Sequence, residues 1–77
     1  MTDVVIPKLG MSTVEVDVVE VHVAIGDEVE PSTVLIEIES EKATVPIEAG
    51  SRGTVRELLV AKGDEVNVGD VVARLEP

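Results

Sequence analysis

The chain has sixteen acidic residues against six basic ones, and one of the basic ones, Lys42, stands where two segments of alternating apolar residues meet. The run is Glu37-Ile38-Glu39-Ser40-Glu41-Lys42-Ala43-Thr44-Val45. An amine held out on a hairpin tip reads as an attachment point for a covalently bound group. The plainer reading is a solvated turn residue, since turns favour exposed polar side chains. Lys42 is not expected to act as a nucleophile or Schiff base itself. Such lysines need burial or cationic neighbours to lower their pKa, and here the neighbours are acidic. Removing the lysine's charge would leave Glu37, Glu39, Glu41 and Glu48 as a more negative surface. Those acids fit either a docking face or a solvated face that keeps sheet edges from pairing.

Other chemistries find little support. With no cysteine and a single histidine, His22, neither a disulfide nor a transition-metal site is expected. His22 lies between Val21 and Val23 and reads as a surface or rim residue. No nucleophile with an adjacent base is visible, so no catalytic residue is assigned. A net charge of −10, a pI near 4.2 and a complete lack of aromatic residues argue against nucleic acid, which asks for clustered cations and stacking rings. A protein partner with a basic docking face fits better. No apolar run approaches the roughly 20 residues of a spanning helix, and Met1 is followed by Thr2 and Asp3 rather than by a signal peptide. The expectation is a soluble, cytoplasmic, monomeric domain.

The elements that must hold Lys42 are strands. Valine and isoleucine recur with period two, which suits a pleated, half-buried surface. In Val34-Leu35-Ile36-Glu37-Ile38-Glu39, residues 34, 36 and 38 face one way and the glutamates the other; Val71, Ala73 and Leu75 repeat this against Arg74 and Glu76. From Val14 to Ile25 the apolar positions change phase at Val18-Val19. That predicts a bulge or bend where one long strand passes between two sheets. Turn residues punctuate the pattern at Gly10, Gly26-Asp27, Pro31-Ser32, Gly50 to Gly53, Gly63-Asp64 and Gly69-Asp70, so the class is all-β, a sandwich or barrel.

A shift of 37 residues lays one half on the other: Val18 on Val55, Glu20 on Glu57, and Gly26-Asp27-Glu28-Val29 on Gly63-Asp64-Glu65-Val66. Two copies of one unit are expected to pack face to face about a pseudo-twofold axis. The Lys42 turn lies between the copies, and its counterpart is the place where the termini fall, at the opposite end. Lys8 and Lys62 lack that placement; Lys62 corresponds to Ile25.

The residues also resemble a known family, the lipoyl domains of dihydrolipoamide acyltransferases in 2-oxo acid dehydrogenase complexes. The similarity runs from Val5-Ile6-Pro7-Lys8-Leu9-Gly10-Met11 to Ala73-Arg74-Leu75-Glu76. Its most specific parts are Ile36 to Val45, Gly53-Thr54-Val55 and Gly63-Asp64-Glu65-Val66-Asn67-Val68-Gly69. The resemblance implies a flattened barrel of two four-stranded antiparallel sheets, with lipoic acid joined by an amide to Lys42 and Glu41 and Ala43 as flanking recognition residues. It also implies that Leu9, Gly10, Met11, Ser12 and Thr13, with Glu39, help a partner enzyme choose the domain. Two departures stand out: Glu41 where the family commonly has Asp, and His22 where many relatives are bulkier and often aromatic.

By the same resemblance the domain is a carrier and not an enzyme. Its partners are a lipoate-attaching enzyme, a thiamine-dependent 2-oxo acid decarboxylase, the acyltransferase core of the parent chain and the flavoprotein dihydrolipoamide dehydrogenase. The transferase's own His-x-x-x-Asp-Gly motif is absent, because Gly26 stands where its Asp would be. Residues 1–77 are expected to form one lipoyl domain at the N-terminus of a longer multidomain chain, in a bacterial or archaeal cytoplasm or, after removal of a transit peptide, the mitochondrial matrix. Two rivals share the fold. A biotinyl domain flanks its lysine with methionines, whereas Glu41 and Ala43 stand here, and an unmodified structural barrel would leave Lys42 an ordinary turn residue.

Overall fold

Alternating β-branched residues broken by Gly, Pro and Asp give eight short strands in a computed structural model that describes residues 1–8, 15–40 and 43–77. The strands are β1 (Thr2–Val5), β2 (Glu15–Val21), β3 (Glu28–Val29), β4 (Val34–Glu39), β5 (Thr44–Glu48), β6 (Gly53–Leu58), β7 (Glu65–Asn67) and β8 (Val71–Glu76). They form two four-stranded sheets, β1-β8-β6-β3 and β5-β4-β2-β7, with every pairing antiparallel. The smallest extent of the molecule is 17 Å, as expected of two sheets stacked about 10 Å apart.

The duplication read from the sequence is a property of the backbone. Mapping β1–β4 onto β5–β8, and β5 back onto β1, turns one sheet's strand order into the other's. Registers follow: Thr2 faces Leu75 as Val45 faces Ile38, and Val4 faces Ala73 as Ile47 faces Ile36. The sheets are laced together reciprocally. Gly26 N–H donates to the Val55 carbonyl (2.7 Å) and Gly63 N–H to that of Val18 (2.7 Å). In return Val55 N–H donates to the Asp27 carbonyl and Val18 N–H to that of Asp64, both at 2.8 Å. Core residues come in the same pairs, Val18 with Val55, Val29 with Val66, Leu35 with Val72 and Ile38 with Leu75, all at least 93% buried.

The phase change at Val18-Val19 is a bulge: β2 shifts register against β4 between Val18 and Glu20, and β6 repeats the shift between Val55 and Glu57. Two expectations are corrected. β2 does not pass between sheets; it ends at Val21, and the crossing comes afterwards at the turn Ala24–Asp27, which bonds to Val55. Leu35 is fully buried although alternation turned it outward, because a register shift between Val34 and Ile36 rotates the extra residue into the core.

Gly53 breaks the equivalence for a packing reason. Its counterpart Val16 is buried as a valine, but a Cβ on Gly53 would stand 2.7 Å from the Glu76 carbonyl oxygen. Only glycine lets β6 approach β8 that closely.

Candidate functional site

The β4–β5 hairpin closes as its sequence predicts. Glu39 faces Thr44 in the last pair, and beyond it Ser40 N–H donates to the Ala43 carbonyl (2.9 Å), with Ser40 Oγ also pointing at that oxygen (3.4 Å). Two residues of chain, Glu41 and Lys42, join these positions, and both lie outside the described residues. Fully buried Ile38 and half-buried Val45 root the hairpin in the core, while Glu39, Ala43 and Thr44 are exposed. A group held covalently needs no cleft, so exposed flanks on a rooted hairpin fit a lysine-borne arm that projects into solvent.

Other elements end at the same place. β2 begins there, since Asp17 faces Glu39; β7 finishes there, since Asn67 faces Glu15. β8 starts after the turn Asn67–Asp70 and runs away from it, so its last residues, paired with β1, put the termini at the far end. The expected docking residues Leu9, Gly10, Met11, Ser12 and Thr13 lie outside the described residues. The segment that contains them leaves Ile6 and returns at Glu15, both at the Lys42 end.

Strand pairing assembles an acidic row that sequence reasoning missed. Thr44, Glu39, Asp17 and Glu65 lie side by side across β5, β4, β2 and β7, with Glu15 one step along. Glu65 responds to it: repulsion from Glu15 comes first, then a hydrogen bond to Glu15, desolvation and repulsion from Asp17, all raising its pKa from the ordinary glutamate value. Of the expected docking residues, Glu39 belongs to this row. The outward phase of Glu15 and Asp17 was readable from alternation, but the β2–β7 pairing that adds Glu65 was not.

The remaining acids fall differently from expectation. Glu48 pairs with Val34 at the opposite end of β5 and contributes nothing near Lys42. Glu37 is engaged by His22 (Nε2–Oε2, 2.7 Å), which is exposed on the rim as expected. Lys62 is paired with Glu20 (3.4 Å) in a turn closed by the Asp64 N–H to the Ala61 carbonyl. Among the described residues no cluster suits a metal ion. A hollow of about 380 Å³ opens beside Glu30, Arg52 and Pro77, at the termini end and remote from the hairpin. No helix of the described residues is long and apolar enough to cross a membrane.

A flattened pair of four-stranded sheets with a lysine on the one hairpin that joins the halves defines a class of small domains that carry a group on a side chain. A family profile described as biotin-requiring enzymes matches residues 2–75, and the chain belongs to this biotin/lipoyl family, as its motifs indicated. It is 37% identical over 76 residues to the dihydrolipoyllysine-residue acetyltransferase component of the pyruvate dehydrogenase complex of Haemophilus influenzae, covering 99% of this chain and 13% of that one. The corresponding Pseudomonas aeruginosa protein is 38% identical over 74 residues, covering 96% and 13%. The chain thus spans about an eighth of the length of these relatives. The solution structure of the lipoyl domain of the 2-oxoglutarate dehydrogenase complex from Azotobacter vinelandii superposes with a TM-score of 0.80 at 23% identity, over 100% of this chain and 98% of that one, and shows the same fold.

Proposed function

We propose that the chain is a lipoyl carrier domain and that Lys42 bears lipoic acid through an amide between Nζ and the lipoate carboxyl. The observation that carries the reading is the Ser40–Ala43 hydrogen bond, which closes a rooted hairpin around two residues of which Lys42 is the only amine. The family membership supports it, as do relatives whose names specify a dihydrolipoyllysine residue. The attached group supplies a redox-active disulfide that accepts and releases acyl groups; the protein supplies placement. A hairpin with little backbone freedom left to lose presents the lysine to a ligase without an ordering cost, with Glu41 and Ala43 read as its flanks.

The parent chain is read as an acyltransferase. The domain takes an acyl group from a thiamine-dependent 2-oxo acid decarboxylase, passes it to coenzyme A in the transferase core and is reoxidised by dihydrolipoamide dehydrogenase, with tethering supplying a high local concentration. Leu9 to Thr13 and Glu39 are assigned to decarboxylase docking. Bacterial relatives favour a cytoplasmic setting. Intact mass and peptide mapping after separate treatment with a lipoate ligase and a biotin ligase test the reading. A lipoyl increment and no biotin is the expected result; a biotin increment moves the protein to the carboxylases, and no increment from either makes it a structural barrel.

A further inference from the structure

Among the described residues the two sheets have four edge strands, and three of them are guarded against further pairing. β3 and β7 hold only two and three residues, and β5 carries Pro46, which has no N–H to offer an incoming strand. β1 is the equivalent of β5 in the other sheet and has Asp3 where β5 has Pro46, since Asp3 faces Arg74 as Pro46 faces Glu37. Among the described residues β1 pairs with β8 on one side and with no strand on the other. Ile6 N–H donates to the Asp70 carbonyl (3.0 Å) and the Ile6 carbonyl accepts from Gly69 (2.9 Å), which sets the alternation along the strand. Ile6, Val4 and Thr2 turn their backbone groups inward, and Asp3 and Val5 turn theirs to the open edge, which ends at Pro7.

The outer face gives this edge a chemical pattern, because two rows of side chains stop at β1. In the first, Glu57, Arg74 and Asp3 lie in register across β6, β8 and β1, and Arg74 bonds to Glu57 (2.8 Å) and to Asp3 (3.2 Å). The row alternates in charge and ends on a carboxylate whose Oδ1 alone meets Arg74. In the second, Val5 faces Val71, and Leu59 lies just past the end of β6 with its N–H on the Val72 carbonyl (2.9 Å). Val5 is 41% exposed and Leu59 47%, so this row leaves apolar surface for a neighbour to cover. In the other half the same places hold Pro46 for Asp3, Glu48 for Val5 and His22 for Leu59, and neither row is repeated.

We propose that the open edge of β1 docks an extended segment of a partner protein as a fifth antiparallel strand, with a basic residue opposite Asp3 and an apolar residue opposite Val5, two positions apart. The cation continues the alternation Glu57–Arg74–Asp3, and the apolar residue continues the row that ends at Val5. Charge and backbone decide against a second copy as the occupant. Pairing β1 with itself about Asp3 sets two carboxylates opposite each other, and pairing it about Val5 sets Asp3 against Pro7, which has no N–H. A net charge of −10 adds a general repulsion between copies. The Lys42 hairpin belongs to the other sheet, so an added strand leaves β4 and β5 uncovered. The docking edge does not depend on the carrier reading.

The probe is the blocked peptide acetyl-Thr-Val-Thr-Arg-Thr-Val-Thr-amide, titrated into the isotope-labelled domain and followed by amide NMR. Saturable shifts at the Asp3 and Val5 amides are the expected result. The same peptide N-methylated at Arg and both Val keeps its charge but cannot complete the ladder, and it should leave those amides unmoved. Asp3→Pro, which gives β1 the guard that β5 carries, should abolish binding. Asp3→Asn keeps the ladder and should weaken binding by ~2- to 5-fold, with less dependence on salt. If Asp3→Pro fails to fold, the methylated peptide decides the matter on the native domain. Equal shifts with the methylated peptide, shifts confined to the acidic row of Glu15, Asp17 and Glu39, or no saturable shift at Asp3 and Val5 overturn the proposal. Concentration-dependent broadening of the β1 amides without peptide also overturns it and makes a second copy the occupant.

Discussion

The two sheets are alike in backbone and unlike in charge. In the sheet β1-β8-β6-β3, Arg74 is held by both Asp3 (3.2 Å) and Glu57 (2.8 Å), Arg56 meets Glu76 through two nitrogens (3.0 and 3.3 Å), and Arg52 meets Glu30 (3.0 Å). The equivalent positions in the sheet that carries the Lys42 hairpin are Glu37 for Arg74, Val19 for Arg56 and Glu15 for Arg52. Each arginine of one half is therefore an acid or an apolar residue in the other. Core packing and the hydrogen bonds between the halves kept their equivalence while the solvent faces diverged, and the more negative face lies beside the β4–β5 hairpin. Proteins tolerate such divergence because exposed ion pairs contribute little to stability, whereas buried residues are held to size and shape.

The comparison is tested most severely in the core. Ile38→Ala and Leu75→Ala empty equivalent buried sites, and each is expected to cost about 2–5 kcal/mol in urea unfolding. A difference between them larger than about 1 kcal/mol breaks the energetic equivalence of the halves. Next is Gly53→Ala, where the equivalence already fails: forcing a Cβ against the Glu76 carbonyl is expected to cost about 1–3 kcal/mol.

Surface changes should be smaller and of opposite sign in the two sheets. Arg74→Met removes a cation bonded to two carboxylates and should lower the unfolding midpoint, less so in high salt. Glu65→Gln should raise it. The carboxyl of Glu65 has a raised pKa in the folded state, so between the unfolded and folded pKa values the folded chain binds more protons and stability falls as pH rises. That loss is absent below the ordinary carboxylate pKa and complete above the folded one. Glu65→Gln should flatten this part of the profile, and an unchanged slope would show that the acidic row stores no repulsion.

What could be read from the residues depended on whether it was local. The repeat that matches Gly26-Asp27-Glu28-Val29 with Gly63-Asp64-Glu65-Val66, and the bulge at Val18-Val19, are written in neighbouring residues and are found in the structure. The hairpin around Lys42 was legible for the same reason, through alternation on both sides of a polar run. Leu35 misled because a one-residue bulge reverses the face of a side chain, and nothing local marks it. Glu65 was invisible as a neighbour of Glu15 because their strands, β2 and β7, are paired across the two halves of the chain. The backbone bonds between Ile6 and the turn Asn67–Asp70 were hidden likewise, since these residues meet only when the strands assemble.

We propose that position on the hairpin, and not the mere presence of an amine, makes Lys42 the carrier residue. The chain's other two lysines provide the comparison, in a peptide map after lipoate ligase of two variants, Lys8→Arg/Lys62→Arg and Lys42→Arg. Full lipoylation of the first and none of the second is the predicted result. Lipoyl groups on Lys8 or Lys62 in the Lys42→Arg variant, or an unmodified Lys42 in the other, would contradict it.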